Sequence, residues 1–196
     1  MTTPSSTADL EAWLDGASGR VVLRQATYWD VELSRPDGSR DAGRIHFGRG
    51  ADRRFVEATF ALAALHTTHP VLLEHVEASA TLFVAAPVDD VEAVAGAIAV
   101  AIHTATSGWR TLTDYRDRQP PVETVLRAGF GHVMTAAHSV VDAVMPILER
   151  AGAVPHLVDT SGPEATCHHR VLVLGASYII STTFRLEPRS VPRGPS

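Results

Sequence analysis

Residues 28–47, YWDVELSRPDGSRDAGRIHF, decide the first part of the fold. Tyr28–Ser34 reads as a strand, Pro36-Asp37-Gly38 as a turn and Arg44–Phe47 as the returning strand. Proline presets φ in such a turn and glycine takes φ > 0 without steric cost, so the segment is a β-hairpin. Upstream, Ala8–Asp15 reads as a short helix and Val21–Gln25 as a strand. Downstream, Asp52–His66 is expected to be an amphipathic helix with Phe55, Thr59, Leu62 and His66 on one face. Pro70 bars its continuation.

Val71–Ala86 is strand-like throughout, which is long for one strand, so a bend is expected near Ala78–Ala80. A helix over Asp89–Thr104 opens with Asp89 and Glu92 as an acidic capping pair and stops before Gly108. Val122–Ala128 reads as a helix with Pro121 at its first position and Gly129 past its end. Gly131–Ala136 reads as a strand. Ser139–Ala151 reads as a helix that Pro146 kinks or delays. Val154–Val158, Arg170–Leu174 and Tyr178–Leu186 complete the strands, the last two joined through Gly175-Ala176. These elements imply an α+β fold: about eight strands in a mostly antiparallel mixed sheet against three main helices.

A shift of 50 residues lays Phe83-Val84-Ala85-Ala86 on Val133-Met134-Thr135-Ala136, and Asp89, Val91, Glu92 and Val94 on Ser139, Val141, Asp142 and Val144. A duplicated βα unit, with equal strand-to-helix intervals, would produce this echo. So would the patterning common to any two βα units. Helix 89–104 is apolar on one face at Val91, Val94, Ile98 and Ile102. Its other face, Ala93, Gly96, Ala97 and Val100, is small and also apolar. A helix apolar on both sides is expected to be buried on both, so either it is central in the fold or its alanine-rich face meets a second copy or a partner subunit. No long linker is apparent, so 8–186 reads as one globular domain between disordered ends at 1–7 and 187–196.

Composition excludes several chemistries. The 196 residues contain no lysine and no asparagine, and all 17 basic residues are arginine. Schiff-base and pyridoxal chemistry, a P-loop and a Cys-His-Asn triad are therefore absent. The single cysteine, Cys167, leaves no intramolecular disulfide and no CxxC motif. A net charge of −5 and dispersed arginines oppose nucleic-acid binding. The 28 alanines and the missing AT-coded residues point to a GC-rich bacterial genome, and from there to specialised metabolism. The absence of any membrane-length apolar run or signal-like start makes a cytoplasmic setting the expectation.

Ten histidines concentrate attention on imidazole chemistry. On a regular strand over 71–86, His75 and Glu77 share a face, a spacing that lets a carboxylate orient a general acid–base imidazole. His132 falls where the echo places Leu82, and a buried imidazole there needs a partner or faces a cavity. In the irregular segment 105–121, Trp109, Arg110 and Tyr115 are suited to anchoring a substrate. His66, His69, Glu74, His75 and Glu77 are dense in sequence, but their placement on opposite sides of elements does not build a zinc site. His138 at a helix start and the Cys167-His168-His169 run are weaker candidates. Gly129-Phe130-Gly131 lacks the third glycine of a dinucleotide loop.

Two functional readings follow. In one, His75, Glu77 and His132 catalyse acid–base chemistry on a small metabolite without metal or organic cofactor, with Trp109, Arg110 and Tyr115 closing over it. That reading requires an enclosed pocket of at least about 300 Å³. In the other, the chain is a non-catalytic binding or assembly subunit that pairs through helix 89–104.

Overall fold

The computed structural model describes residues 7–48, 51–116, 118–161 and 168–190. It is α+β, with twelve strands in three antiparallel sheets and five α-helices among the described residues. The expected single sheet of about eight strands and three helices is corrected accordingly. The described residues up to His69 and from His168 onward form one compact unit, and those from Pro70 between them form a second.

Unit 1 holds α1 (Thr7–Leu14), β1 (Ser18–Arg24), β2 (Tyr28–Ser34) and β3 (Arg40–Phe47). The hairpin is present, with Gly38 at φ 84° in its turn. Alternation along β2 sends Trp29, Val31 and Leu33 into the core. There Trp29 meets Phe47 and Phe55 edge-on at 6.2 and 5.7 Å, geometry that aromatic quadrupoles favour. The opposite face carries Asp30, whose carboxylate receives Arg44 Nε and Nη2 at 2.7 and 3.0 Å.

The helix expected over Asp52–His66 is instead three strands: β4 (Asp52–Arg54), β5 (Thr59–Phe60) and β6 (Ala63–His66). Their partners are remote in sequence. β5 pairs with β1, while β4 and β6 flank β11 (Ser177–Ser181) and β10 (Arg170–Leu174). Ladder bonds to those strands override the local helical periodicity. The strand expected over Tyr178–Leu186 is likewise two, β11 and β12 (Phe184–Arg189), in different sheets. β12 runs past 187, so Glu187, Pro188 and Arg189 belong to an edge strand against β3 rather than to a free tail. An edge is where proline is tolerated in a sheet.

Unit 2 begins where a long strand was expected over Val71–Ala86. Pro70–Leu72 is a 3-10 turn, followed by α2 (Leu73–Val76) and only then β7 (Ser79–Val84). Proline's fixed φ suits the first turn of a helix. The rest is α3 (Val91–Ala105), a 3-10 turn at Leu112–Tyr115, α4 (Val122–Ala128), β8 (Gly131–Ala137), α5 (His138–Arg150) and β9 (Pro155–Ser161). The α3 cap is Asp90, accepting from the Ala93 amide at 3.0 Å, not Asp89. Gly129 ends α4 in the left-handed region at φ 73°, where an added Cβ would lie 2.3 Å from Pro87 N.

Strand order is β8-β7-β9, all antiparallel, so β8–α5–β9 is a split βαβ around β7. Ile98 and Ile102 of α3 and Val140, Val141, Val144 and Leu148 of α5 cover Ala80, Leu82, Met134 and Ala136. The equal intervals expected of a duplicated βα unit are not present: residues 85–90 separate β7 from α3, whereas α5 follows β8 directly. α3 is buried on one face only. Ala93 and Gly96 are exposed and Val100 is 67% exposed. No described helix is long and apolar enough to cross a membrane.

Candidate functional site

The chemistry-bearing side chains of unit 2 converge on β8 from its two ends. At the C-terminal end, α2 presents Glu74, whose Oε1 accepts the Ala137 amide at 3.1 Å. Tyr115, 9% exposed at the end of its 3-10 turn, bonds to the same carboxyl, with Arg110 an electrostatic neighbour. Burial raises the Glu74 carboxyl above the usual glutamate range, against the stabilising amide, phenol and guanidinium. Burial also raises the Tyr115 phenol, and the adjacent carboxylate adds to it. Glu77, just past α2, accepts the Ser139 amide at 3.1 Å. A carboxylate is favoured there because the first amides of α5 lack helical partners and carry the positive end of its dipole.

At the N-terminal end, His132 Nε2 lies 2.9 Å from Thr135 Oγ1, which lies 2.9 Å from Thr81 Oγ1. The ring packs edge-on against Phe83 at 5.7 Å. A bulge moves the register between Leu82 and Phe83, so Leu82 pairs with Met134 and His132 with Phe83. The echo with Leu82 therefore does not describe the position of His132. Burial, and secondarily Arg116, lower its pKa, and its Nδ1 is buried with no hydrogen-bond partner among the described residues. Arg116, 7% exposed, donates to the carbonyls of His132, Val133 and Pro120.

The six residues expected to form one pocket thus separate. Arg110 and Tyr115 gather with Glu74, and Glu77 holds the start of α5. His75 lies on α2 beside Glu74, not on a strand face with Glu77. His132 is five residues back along β8 from the amide that Glu74 holds, about 16 Å at strand rise. It does not join His75 and Glu77. Trp109 sits in the loop after α3, half-buried. His138 Nε2 is 3.1 Å from Asp159 Oδ1, and Cys167 lies outside the described residues. Among the described residues no three His, Cys, Asp or Glu side chains group as a metal set.

Arg116 and Glu74 are the positions that sequence reasoning left without a role. The signal for Glu74 was faint: a carboxylate four residues after a proline and ahead of a strand. For Arg116 there was none. A groove of about 620 Å³ does exist, but in unit 1, and none of the six expected residues lines it. The chain matches no family model, no curated protein and no solved structure.

Proposed function

We propose that this protein is a non-catalytic assembly protein that joins a second copy of itself by strand addition at β9. The observation that carries this reading is the unequal treatment of the two edges of the unit 2 sheet. Sheet edges offer unpaired backbone groups to any passing strand, and proteins protect the ones they do not use. β8 is protected: Arg116 occupies the carbonyls of His132 and Val133, and Glu74 occupies the amide of Ala137. β9 has β7 as its one strand neighbour among the described residues. Along it Leu157 is 38% exposed and Val158 51% exposed.

A second copy brings the same free edge, and antiparallel pairing about a two-fold axis is isologous. The protected β8 then stops growth at two, giving a closed six-stranded sheet rather than a fibre. The separation of His132 from His75 and Glu77 favours binding over histidine acid–base catalysis, as does the use of Glu74, Glu77 and Arg116 to hold backbone groups.

Sedimentation of the full chain over rising concentration tests this. The expected result is a monomer–dimer equilibrium that Val158→Lys disperses and Val100→Glu leaves intact. Dispersal by Val100→Glu alone would move the contact to the small-residue face of α3 and overturn the β9 reading. A wild-type monomer at about 1 mM would refute self-assembly altogether.

A further inference from the structure

We propose that the groove of unit 1 binds a small hydroxylated anion, a polyol bearing a carboxylate or a phosphate. The register of the five-stranded sheet builds its lining. Antiparallel pairing sets Thr59 beside Arg20 and Arg20 beside Glu32, and sets Ser18 beside Ser34 and Ser34 beside Arg40. Between these rows Phe60, Gly19 and Leu33 are cross-strand neighbours, and all three line the groove. Gly19 has no room for a side chain: a Cβ there would lie 2.2 Å from the Glu32 carbonyl and 3.0 Å from the Phe60 ring. The groove thus has polar walls at a volume typical of small-ligand sites, with the Leu33 and Phe60 side chains buried in the core.

Its charge balance selects the ligand. Both carboxylates in the lining are matched by guanidinium groups of the protein. Arg20 Nε and Nη2 each lie 2.8 Å from Glu32 Oε2, and Arg35 Nε lies 2.8 Å from Asp41 Oδ2. Arg40 makes no ion pair among the described residues and is exposed at the groove. It is a surplus cation whose planar fork matches the paired oxygens of a carboxylate or phosphate. The exposed hydroxyls of Ser34 and Thr59 supply rotatable donors and acceptors for ligand hydroxyls. None of these residues lies on β9, so this site stands apart from strand addition.

Calorimetric titration of the full chain with gluconate, glucose 6-phosphate, inorganic phosphate and glucose tests the assignment. The expected result is that gluconate, glucose 6-phosphate or both bind, at least about tenfold tighter than glucose and phosphate. Whichever of the two binds identifies the anionic group. Arg40→Ala should weaken that binding about tenfold or more while the thermal melt stays in place. Equal binding of glucose or of inorganic phosphate would overturn the proposal. So would an Arg40→Ala affinity equal to wild type, or no heat with any of the four at about 10 mM.

Discussion

Replacing Arg116 by methionine removes the guanidinium and keeps an unbranched apolar stem of similar reach. Three carbonyls, those of His132, Val133 and Pro120, then lose their donor. A hydrogen bond from a charged donor contributes about 1.5–3 kcal/mol, and each buried acceptor left unpaired costs about 1–3 kcal/mol. Removing the cation also relieves its own desolvation, which is large enough to lower its pKa. The contributions are not additive within one network, and about 3–4 kcal/mol of net destabilisation is expected. That is a large share of the stability of a domain this size and should lower the melting temperature by about 10 °C or more. Urea unfolding followed by circular dichroism measures it directly. Arg116→Lys is expected to lose about half as much, because an ammonium keeps the charge and three donors but holds them on one nitrogen, without the planar fork that spans the three carbonyls. A methionine variant within about 1 kcal/mol of wild type would mean that water satisfies those carbonyls. The claim that a side chain closes the β8 edge would then fail.

Gly19→Ala is expected to cost about 2–3 kcal/mol, since the new Cβ meets the Glu32 carbonyl, and thermal melts would show it. Val154→Gly should instead stabilise by about 0.5–1 kcal/mol. Val154 is β-branched at φ 47° and 52% exposed, so little burial is lost, and a lower urea midpoint would contradict this. His132 has its pKa lowered from 6.5, so its contribution is present above that value and lost as pH falls through the folded pKa. His132→Gln should flatten the acidic limb of a stability–pH curve, and an unchanged slope there would count against the burial argument. Glu74 acts with the opposite sign. Its carboxyl is raised, so its contribution is present below the unfolded value and lost as pH rises through the folded one. Glu74→Gln should remove that decline in denaturation curves measured across the range, and a persisting decline would assign it elsewhere.

Local chemistry was enough for elements whose signals are local. The strand at Tyr28–Ser34, the helix at Val122–Ala128 with Gly129 behind it, and the strand at Arg170–Leu174 lie where turn residues and caps put them. The stretch 52–66 failed because spacing of apolar residues says nothing about partners a hundred or more positions away. Asp52–Arg54 are strands only because Tyr178–Ile180 lie alongside. Misreading Val71–Ala86 as extended had a further cost, since it placed His75 and Glu77 on one face and created a catalytic pair that α2 takes apart. Tyr115 and Arg110, singled out by type as substrate anchors, lie beside Glu74, a neighbour that residue type does not indicate. Arg116 was invisible because its partners are main-chain carbonyls, which every residue possesses.

The pairing of β6 with β10, Leu65 opposite Leu172, makes everything between Pro70 and Cys167 the tip of one enormous hairpin. While that insertion is folded, the strands are tethered as if by a short bend. Once it melts, they must be held together across about a hundred random residues, and a tenfold longer closure costs about 2 kcal/mol. The β-rich half of the molecule therefore owes part of its melting point to the integrity of the other, through chain entropy alone.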